Sequence, residues 1–373
     1  MEHAFTPQIL QILQDFFGED GEIIFERSLL LQYLNLKTRS ASSGSKSRSS
    51  FANIYAIYVL VEDYLKNNFH IRNDYSEYEG ARFTDLLERQ RQLPFGSKLQ
   101  NHALNSRMNG EFKKYFPHAE IIPIVRNVQT NRYWLNENLL QLSDKTNVFN
   151  IARAILEIID RYIEVKQNSF KRFIEICKEL QIITDKNDVA VSKFISELLS
   201  PVVDARIFEI VSYAILRYYY RNQVVYFGFD PDDIREENLM LFKTGRTNAN
   251  DGGIDFVMRP LGRFFQVTET LEVKKYFLDI DKVERFPISF VIKSSDKVES
   301  LLAKLEEDAR KQYGVKSIVD KYLNCIEEII NVPILLERFE YVKSQGYLTD
   351  VLNEIILQSR VEFNFDDEHD ETE

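Results

Sequence analysis

The chain has 373 residues, of which 44% are hydrophobic and 13% aromatic, enough to build one large domain or two of ordinary size. Glycine and proline number only 13 and 9, which excludes a disordered or fibrous chain. The sequence contains no apolar run of about 18 residues and no signal-type beginning, so we predict a soluble cytoplasmic protein without membrane contact.

The acidic charge is unevenly distributed along the chain. The 47 basic and 58 acidic residues give a net charge of −11, which at first argues against a nucleic-acid partner. Six of the acids lie between Phe365 and Glu373, a segment without bases that is typical of a disordered, solubilising tail. Two stretches are locally basic: Ser28 to Val61 has four bases and no acid, and Arg89 to Arg132 has eight bases and two acids. Such strips are compatible with a positive cleft on an otherwise negative surface.

The N-terminal part is predicted to be mainly helical. Residues 5–36 show two short helices whose apolar faces begin at Ile9 and Leu29. The serine-rich segment from Thr38 to Ser50 cannot build a core and is predicted to be an exposed loop. That loop could hold DNA phosphates with its hydroxyl groups and bases, or it could be a flexible linker. The pattern from Phe51 to Asn67 predicts an amphipathic core helix.

The second basic stretch combines its bases with many Asn and Gln residues. Arg recognises guanine, and Asn or Gln recognises adenine, through paired hydrogen bonds in the major groove, so DNA contact is predicted here. An ordinary polar loop region has a similar composition, and that alternative stays open. We expect a helix over Arg82–Gln92 and strands over Glu120–Arg126 and Arg132–Leu135. The candidate DNA-binding residues of both stretches are Arg39, Lys46, Arg48, Arg89, Arg91, Lys98, Arg107, Lys113 and Lys114.

Residues 136–200 are predicted to be helical, and Pro201 marks the boundary before a second region. The two cysteines, Cys177 and Cys325, have no metal-ligand neighbours and are expected to pack in the core. Beyond the boundary, Asp204–Arg221 is predicted to be a helix that carries Glu209, and Val224–Phe229 a strand.

A polar β-hairpin is the most informative part of the chain. Ile254–Met258 and Phe264–Val267 are predicted strands, and the turn between them contains Pro260 and Gly262. A symmetric hairpin would place Asp255 across from Thr268. If the second strand continues, alternation puts three polar residues on one face with Asp255, namely Gln266, Glu272 and Lys274.

This set of side chains suits metal-assisted hydrolysis. Two oxygen ligands can hold Mg²⁺, and a nearby ammonium group can orient or deprotonate a water molecule and offset developing charge. Together these groups fit the hydrolysis of a phosphodiester. The alternative is an edge hairpin with a solvated polar face, which needs no chemical function.

From residue 204 to 293, about a quarter of the chain, the sequence resembles the PD-(D/E)XK nuclease superfamily. Gly252-Gly253-Ile254-Asp255-Phe256 and Phe265-Gln266-Val267 look like the GID…QxK variant of its motif, and the run from Lys243 to Glu269 is similar to ApaLI-like type II restriction enzymes. The resemblance implies that Asp255 is the main metal ligand and that Glu209 is an outer ligand or orienting group.

The chain departs from the family at Thr268, where the motif has lysine. One solution is that Glu272 is the second metal ligand and Lys274 positions the water, if a bulge brings both level with Asp255. The other is that Gln266 is the second ligand and a lysine from elsewhere, such as Lys243, takes the role.

Downstream, Pro287–Lys293 is predicted to be a further strand, and residues 296–360 are predicted to be helices. The expected fold is therefore α/β. It has a mainly helical region with basic DNA-contacting loops at 1–200, a restriction-endonuclease-like core with a mixed β-sheet and C-terminal helices at 201–362, and an acidic tail at 363–373.

The resemblance implies a type II restriction endonuclease that uses Mg²⁺, acts on double-stranded DNA and forms a homodimer. No G-x-x-x-x-G-K-[ST] signature occurs, so no ATP is expected. Two alternatives remain open: a repair-type or structure-selective nuclease of the same fold, and a catalytically decayed DNA-binding module.

Overall fold

A computed structural model describes most of the chain. The described residues are 2–39, 47–72, 75–97, 99–144, 147–183, 188–200, 203–244 and 254–363. The chain divides into two compact units, one formed by 1–174 with 360–373 and the other by 175–359. The sequence-based boundary was drawn at residue 200, whereas this division falls within a long helix. The predicted acidic tail lies almost entirely outside the described residues.

Helices dominate the beginning of the first unit. They are α1 (Thr6–Phe17), α2 (Gly21–Arg27), α3 (Leu29–Thr38) and α4 (Ser47–Lys66). Three helices therefore occupy the region where two were predicted. The core helix predicted from Phe51 is confirmed, with Ile54, Ile57 and Val61 completely buried. Most of the predicted serine-rich loop lies outside the described residues, and its last residues belong to α4.

The first unit also contains a small sheet. The elements are β1 (Ala81–Arg82), α5 (Phe83–Gln92), a π-helical turn (Ala103–Arg107), α6 (Met108–Tyr115), β2 (Ile124–Asn127) and β3 (Arg132–Leu135). The strands are antiparallel in the order β1-β3-β2. The predicted helix and the strand predicted over Arg132–Leu135 are confirmed, whereas the strand predicted from Glu120 begins only at Ile124.

A hairpin precedes the long helix. It consists of β4 (Gln141–Asp144) and β5 (Asn147–Asn150), and it is followed by α7 (Ala152–Ile183) and α8 (Asp188–Leu198). The prediction that residues 136–200 are entirely helical is therefore wrong at its beginning. Segments of four residues are too short to show a helical or strand period clearly, which explains the error.

The second unit begins with α9 (Ala205–Tyr220), and the Asp204 side chain accepts a hydrogen bond from Arg206 N at 2.7 Å to cap it. The helix predicted here is confirmed. Next come β6 (Val224–Phe227) and β7 (Arg235–Asn238), which form a separate antiparallel hairpin. The predicted strand at Val224 is thus present, but it does not join the main sheet.

The main sheet has five strands. They are β8 (Met240–Lys243), β9 (Phe256–Arg259), β10 (Arg263–Thr268), β11 (Ile288–Ile292) and β12 (Ile326–Ile330), in the spatial order β8-β9-β10-β11-β12. β8, β9 and β10 are antiparallel neighbours, whereas β10, β11 and β12 are parallel. The sheet is therefore mixed, as predicted, and the fold is mixed α/β.

Five helices follow β10: α10 (Val273–Lys282), α11 (Val298–Gln312), α12 (Lys316–Leu323), α13 (Val332–Ser344) and α14 (Leu348–Phe363). The prediction of helices throughout 296–360 is wrong for β12. Ile326, Ile329 and Ile330 fit the spacing of a helical stripe, but β-branched residues also favour a strand, and here they form the fifth strand.

Aromatic side chains pack both faces of the main sheet. On one face, the rings of Tyr213 and Phe256 have centroids 5.2 Å apart, so α9 packs against β9. On the other face, the rings of Tyr276 and Phe290 lie 4.4 Å apart, so α10 packs against β11. These contacts fix the ends of β9 and β10, where the polar hairpin residues lie. Among the described residues, no helix is long and apolar enough to cross a membrane.

Candidate active site

The β9–β10 hairpin pairs Asp255 with a different residue from the one predicted. Phe256 pairs with Phe265 and Met258 with Arg263, so Asp255 lies across from Gln266 and not from Thr268. The prediction of the register is wrong because the turn is centred one residue earlier in the chain. There, Gly262 N donates to Met258 O at 2.9 Å, and Gly262 has a φ of 67°, which glycine adopts without strain.

Asp255 is partly buried and fixed by two hydrogen bonds. Its Oδ2 accepts from Gln266 Nε2 and from Val267 N, both at 2.7 Å. Asp255, which directly precedes β9, thus accepts a hydrogen bond from a backbone amide of β10. The expected proximity of Asp255 and Gln266 is confirmed by this contact.

Glu209 is held beside two cations. It lies on α9 and is 5% exposed. Arg206 donates to its Oε2 at 2.7 Å, and Lys243 Nζ lies 3.1 Å from its Oε1. Lys243 is the last residue of β8 and is itself largely buried. The structure therefore brings a helix, an edge strand and their ion pair to the Asp255 end of the hairpin.

The electrostatic environment raises the pKa of Asp255 to about 7. The largest cause is burial, which disfavours the charged form, and the second is the negative charge of Glu209. The hydrogen bond from Val267 N and the positive charges of Arg206 and Lys243 oppose the increase. Asp255 can therefore change its protonation state at neutral pH, which is common for carboxyl groups at functional sites.

Gln266 carries an atom whose hydrogen-bonding capacity is unused. The residue is 7% exposed, and its Oε1 has no hydrogen-bond partner among the described residues. A buried amide oxygen without a protein partner is costly unless a water molecule or a cation satisfies it. The Asp255 carboxylate and the Gln266 amide offer hard oxygen donors, which is the donor set that Mg²⁺ prefers. These two residues therefore fit the predicted cation.

The donor set is small. Within the part of the chain that the structure describes, no group of three or more His, Cys, Asp and Glu side chains is placed to hold a metal ion. Mg²⁺ retains several waters when proteins bind it, so one or two protein ligands are compatible with that ion.

The structure separates Glu272 and Lys274 from the hairpin. β10 ends at Thr268, Glu272 is the N-cap residue of α10, and Lys274 is exposed in its first turn. The interpretation of Glu272-Val273-Lys274 as a motif on the same strand is therefore wrong. The sequence contains a signal against it, because α10 has apolar residues at helical spacing: Val273, Tyr276, Phe277 and Ile280.

Two further lysines lie near the end of β10, and the sequence analysis assigns neither of them a role. Lys275 Nζ donates to Thr268 Oγ1 at 3.4 Å. Lys293 follows β11; its side chain is 3% exposed, and its Nζ lies 2.8 Å from Glu269 Oε1 and also donates to the Val203 carbonyl. The only signal for Lys293 was its place at the end of the strand predicted over Pro287–Lys293; the parallel pairing that brings this end to the end of β10 is seen only in the structure.

The candidate DNA-binding residues differ in their availability. Those exposed in the first unit are Arg39 after α3, Arg91 on α5, Arg107 in the π-helical turn, and Lys113 and Lys114 on α6. Arg91 Nε donates to Leu99 O at 3.2 Å. Arg89 is occupied by Glu62, with two hydrogen bonds of 2.7 and 2.8 Å. Lys46, Lys98 and the side chain of Arg48 lie outside the described residues.

Comparison with known proteins gives no relative: no protein family, no curated protein and no solved structure matches the chain. The functional inference therefore depends on the residues described above and on the order of the elements that position them.

Proposed function

We propose that the protein is a Mg²⁺-dependent nuclease of the PD-(D/E)XK type, and specifically a type II restriction endonuclease that cleaves double-stranded DNA at defined sites. The observation that supports this most is the contact of Asp255 with Gln266 at the open end of the β9–β10 hairpin, beside the Glu209–Lys243 ion pair. A solvated edge hairpin would not need a partly buried carboxylate with a raised pKa.

The order of the elements is a second support. In chain order the second unit has a helix that carries Glu209, an antiparallel meander of β8, β9 and β10, a crossover helix, and the parallel strand β11. The PD-(D/E)XK nucleases, which the hairpin sequence resembles, have this order. The β6–β7 hairpin and β12 would be additions to that core.

In this proposal Asp255 and Gln266 would hold the cation. Bound Mg²⁺ would supply positive charge to the scissile phosphate and acidity to a bound water. Asp255 ionises near neutral pH, so it can exchange a proton for the cation without a large cost. Glu209, which raises the pKa of Asp255, would act as an outer acid that orients groups around the cation.

Lys243 is the best candidate for the lysine that the motif lacks at Thr268. It is the last residue of β8, the strand next to the Asp255 strand, and Glu209 fixes its ammonium group. Lys274 is exposed on α10, and Lys293 follows β11, which lies on the opposite side of β10 from the Asp255 strand. Lys243 would position the attacking water and offset the negative charge that develops on the phosphate.

The first unit would grip and recognise the DNA. Its exposed bases, Arg107 at the end of the π-helical turn and Lys113 and Lys114 in the last turn of α6, would contact phosphates. A homodimer would match the two-fold symmetry of a palindromic site. ATP has no role in this proposal.

The test is cleavage of a long phage DNA by the purified protein, with and without Mg²⁺. We expect discrete bands that require Mg²⁺ and disappear in Asp255→Ala. Lys274→Ala is the matched control, because it removes an exposed lysine near the hairpin and should leave the bands unchanged. Equal banding from Asp255→Ala would contradict the assignment of the site.

Cleavage of branched and damaged DNA and a measurement of DNA binding, each with and without Mg²⁺, separate the two alternatives. A repair-type or structure-selective nuclease would leave the phage DNA intact but cut branched or damaged substrates in a Mg²⁺-dependent manner. A decayed module, which Thr268 at the lysine position makes conceivable, would bind DNA equally with and without Mg²⁺ and cut none of these substrates.

A further inference from the structure

Phe363, the last described residue, lies in an aromatic cluster of the first unit. It ends α14, and its ring centroid is 4.7 Å from that of Phe170 on α7 and 6.2 Å from that of Phe95, which follows α5. Phe95 in turn stacks on Phe51 of α4, with centroids 5.1 Å apart. We call these four rings the aromatic socket. Since aromatic contacts of this kind are favourable beyond the area they bury, the socket fixes the point at which residue 364 begins.

The backbone of Phe95 shows that the fold maintains the socket at a cost. Its φ is 61°, in the left-handed region that an aromatic residue seldom adopts. Gly96 N donates to Leu93 O at 2.8 Å, which closes the turn around Phe95. This turn places the Phe95 ring between Phe51 and Phe363, and the ring contacts offset the unfavourable backbone conformation.

The chain around the socket is basic. Within four positions of Phe51, Phe95 and Phe170 there are six bases and no acid, although acids outnumber bases 58 to 47 in the whole chain. The six bases are Arg48, Arg91, Lys98, Lys166, Lys171 and Arg172. Arg91, Lys171 and Arg172 are exposed, whereas Lys98 and the side chain of Arg48 lie outside the described residues. Clustered bases of this kind create a positive surface that attracts anions.

The residues that follow Phe363 carry the opposite charge. The sequence continues for ten residues, which we call the acidic segment, and it contains six acids and no base. The acids are Asp366, Asp367, Glu368, Asp370, Glu371 and Glu373. An extended chain of ten residues spans up to about 35 Å. Each of the six bases is at most four positions from a ring of the socket, so the acidic segment is long enough to reach them.

We propose that the acidic segment binds the basic surface around the aromatic socket of its own chain and competes there with other polyanions. Phe363 holds one end of the segment in place, and such tethering gives a local concentration in the millimolar range, so weak charge pairs suffice. The docking depends on charge and geometry alone, whereas its effect on DNA rests on the proposed function. Because salt screens exposed charges, the docking should weaken as the ionic strength rises.

Carbodiimide cross-linking of the full chain tests the docking. The reagent joins a carboxylate to a lysine amine that it contacts, and products are read by mass spectrometry in the monomer band of 43.9 kDa. We expect the acidic segment to be joined to Lys171 at low salt, with a yield about fivefold lower at high salt. Lys66, exposed about 22 Å from Phe51 along α4, is the control lysine. Equal yields at Lys171 and Lys66, or no product at Lys171, would overturn the proposal.

Two single variants test the socket. Phe363→Ser removes one ring and keeps all six acids, and it should lower the Lys171 yield about fivefold because the tether is loosened. Val361→Ser is the matched control, since it removes a side chain of the same helical turn that is 56% exposed, and the yield should not change. Equal yields in the two variants would contradict the role of the socket. If Phe363→Ser does not fold, the cross-links of the unmodified chain still decide.

The competition is tested by changing the six acids of the segment to amides and measuring the binding of a short DNA duplex without Mg²⁺. We expect about tenfold tighter binding than that of the unmodified chain at low salt, and a smaller difference at high salt. The matched control changes six exposed acids of the first unit to amides, which alters the net charge equally. These acids are Asp15, Glu19, Glu22, Glu26, Glu77 and Glu79. The control should change the affinity less than about threefold.

The two measurements separate the docking from the proposed function. Equal gains in DNA affinity from both amide variants would overturn the competition, because net charge alone would then explain them. If no form bound the duplex, the proposed function and the competition would both fail, while a cross-link to Lys171 would still establish the docking.

Discussion

Lys243 Nζ lies 3.1 Å from Glu209 Oε1 at the end of the sheet that also holds Asp255. This ion pair joins an edge strand to a helix, and its two members act on Asp255 in opposite directions, since Glu209 raises and Lys243 lowers its pKa. The site therefore contains the positive charge that Thr268 cannot supply.

Lys243→Ala should reduce DNA cleavage by about 100-fold or more, because the group that orients water or offsets charge would be lost. Lys274→Ala and Lys275→Ala should each retain nearly full activity. The measurement is the single-turnover cleavage rate at saturating Mg²⁺. If Lys275→Ala loses as much activity as Lys243→Ala, the lysine that contacts Thr268 has the role instead.

Cleavage and Mg²⁺ affinity should increase with pH around neutrality. The pKa of Asp255 is raised to about 7, so its carboxyl group is mostly protonated at pH 6 and mostly ionised at pH 8. Mg²⁺ binds the ionised form, and its apparent affinity should therefore rise about tenfold between these pH values. The measurement is the half-saturating Mg²⁺ concentration at each pH. A flat profile would show that Asp255 does not titrate in this range.

Asp255→Asn should stabilise the fold at high pH. The folded-state pKa of Asp255 lies above its unfolded value of about 3.9. Protonated Asp255 therefore contributes fully to the stability of the fold below about pH 3.9, and this contribution is lost as the pH rises through about 7. The variant avoids this loss and should gain about 2 kcal/mol at pH 8 and nothing near pH 4. Urea unfolding at both pH values measures the difference, and an equal gain at pH 4 would contradict the explanation.

Glu269→Ala should destabilise the second unit by about 1–3 kcal/mol, because it leaves the buried Lys293 ammonium without its carboxylate. The cost is limited because Glu269 is partly exposed and the Val203 carbonyl still accepts from Lys293. The double variant Glu269→Leu/Lys293→Met should regain stability. Chemical unfolding of both variants is the measurement, and a double variant that is less stable than Glu269→Ala would disagree with this account.

The helices and strands with strong periods were predictable from sequence. α4 and α9 were identified from their apolar stripes, and β11 from its short apolar run. β12 was not predicted because Ile326, Ile329 and Ile330 are compatible with a helix as well as with a strand. Only their pairing with β11 in the folded protein makes this segment a strand. The short hairpin of β4 and β5 gave no usable period at all.

The site was only partly predictable for a related reason. Residue type and spacing indicated Asp255 and Gln266, and the family resemblance added Glu209; the structure brings the three together at one end of the sheet. The register of the hairpin depended on where its turn is centred, which composition does not determine. The environment of Lys243 depends on its contact with Glu209, 34 positions earlier in the chain, and no local pattern encodes such a contact.

The hydrogen bond from Val267 N to Asp255 Oδ2 makes a strand amide dependent on a side chain. Other amides of β10 are protected by neighbouring backbone and exchange with solvent only when the sheet opens locally. The Val267 amide is protected from exchange by the Asp255 carboxylate, whose charge changes near pH 7. A bound cation would coordinate the oxygens of the same carboxylate. The exchange rate of this one amide would thus report whether a cation is bound at Asp255, even when no substrate is present.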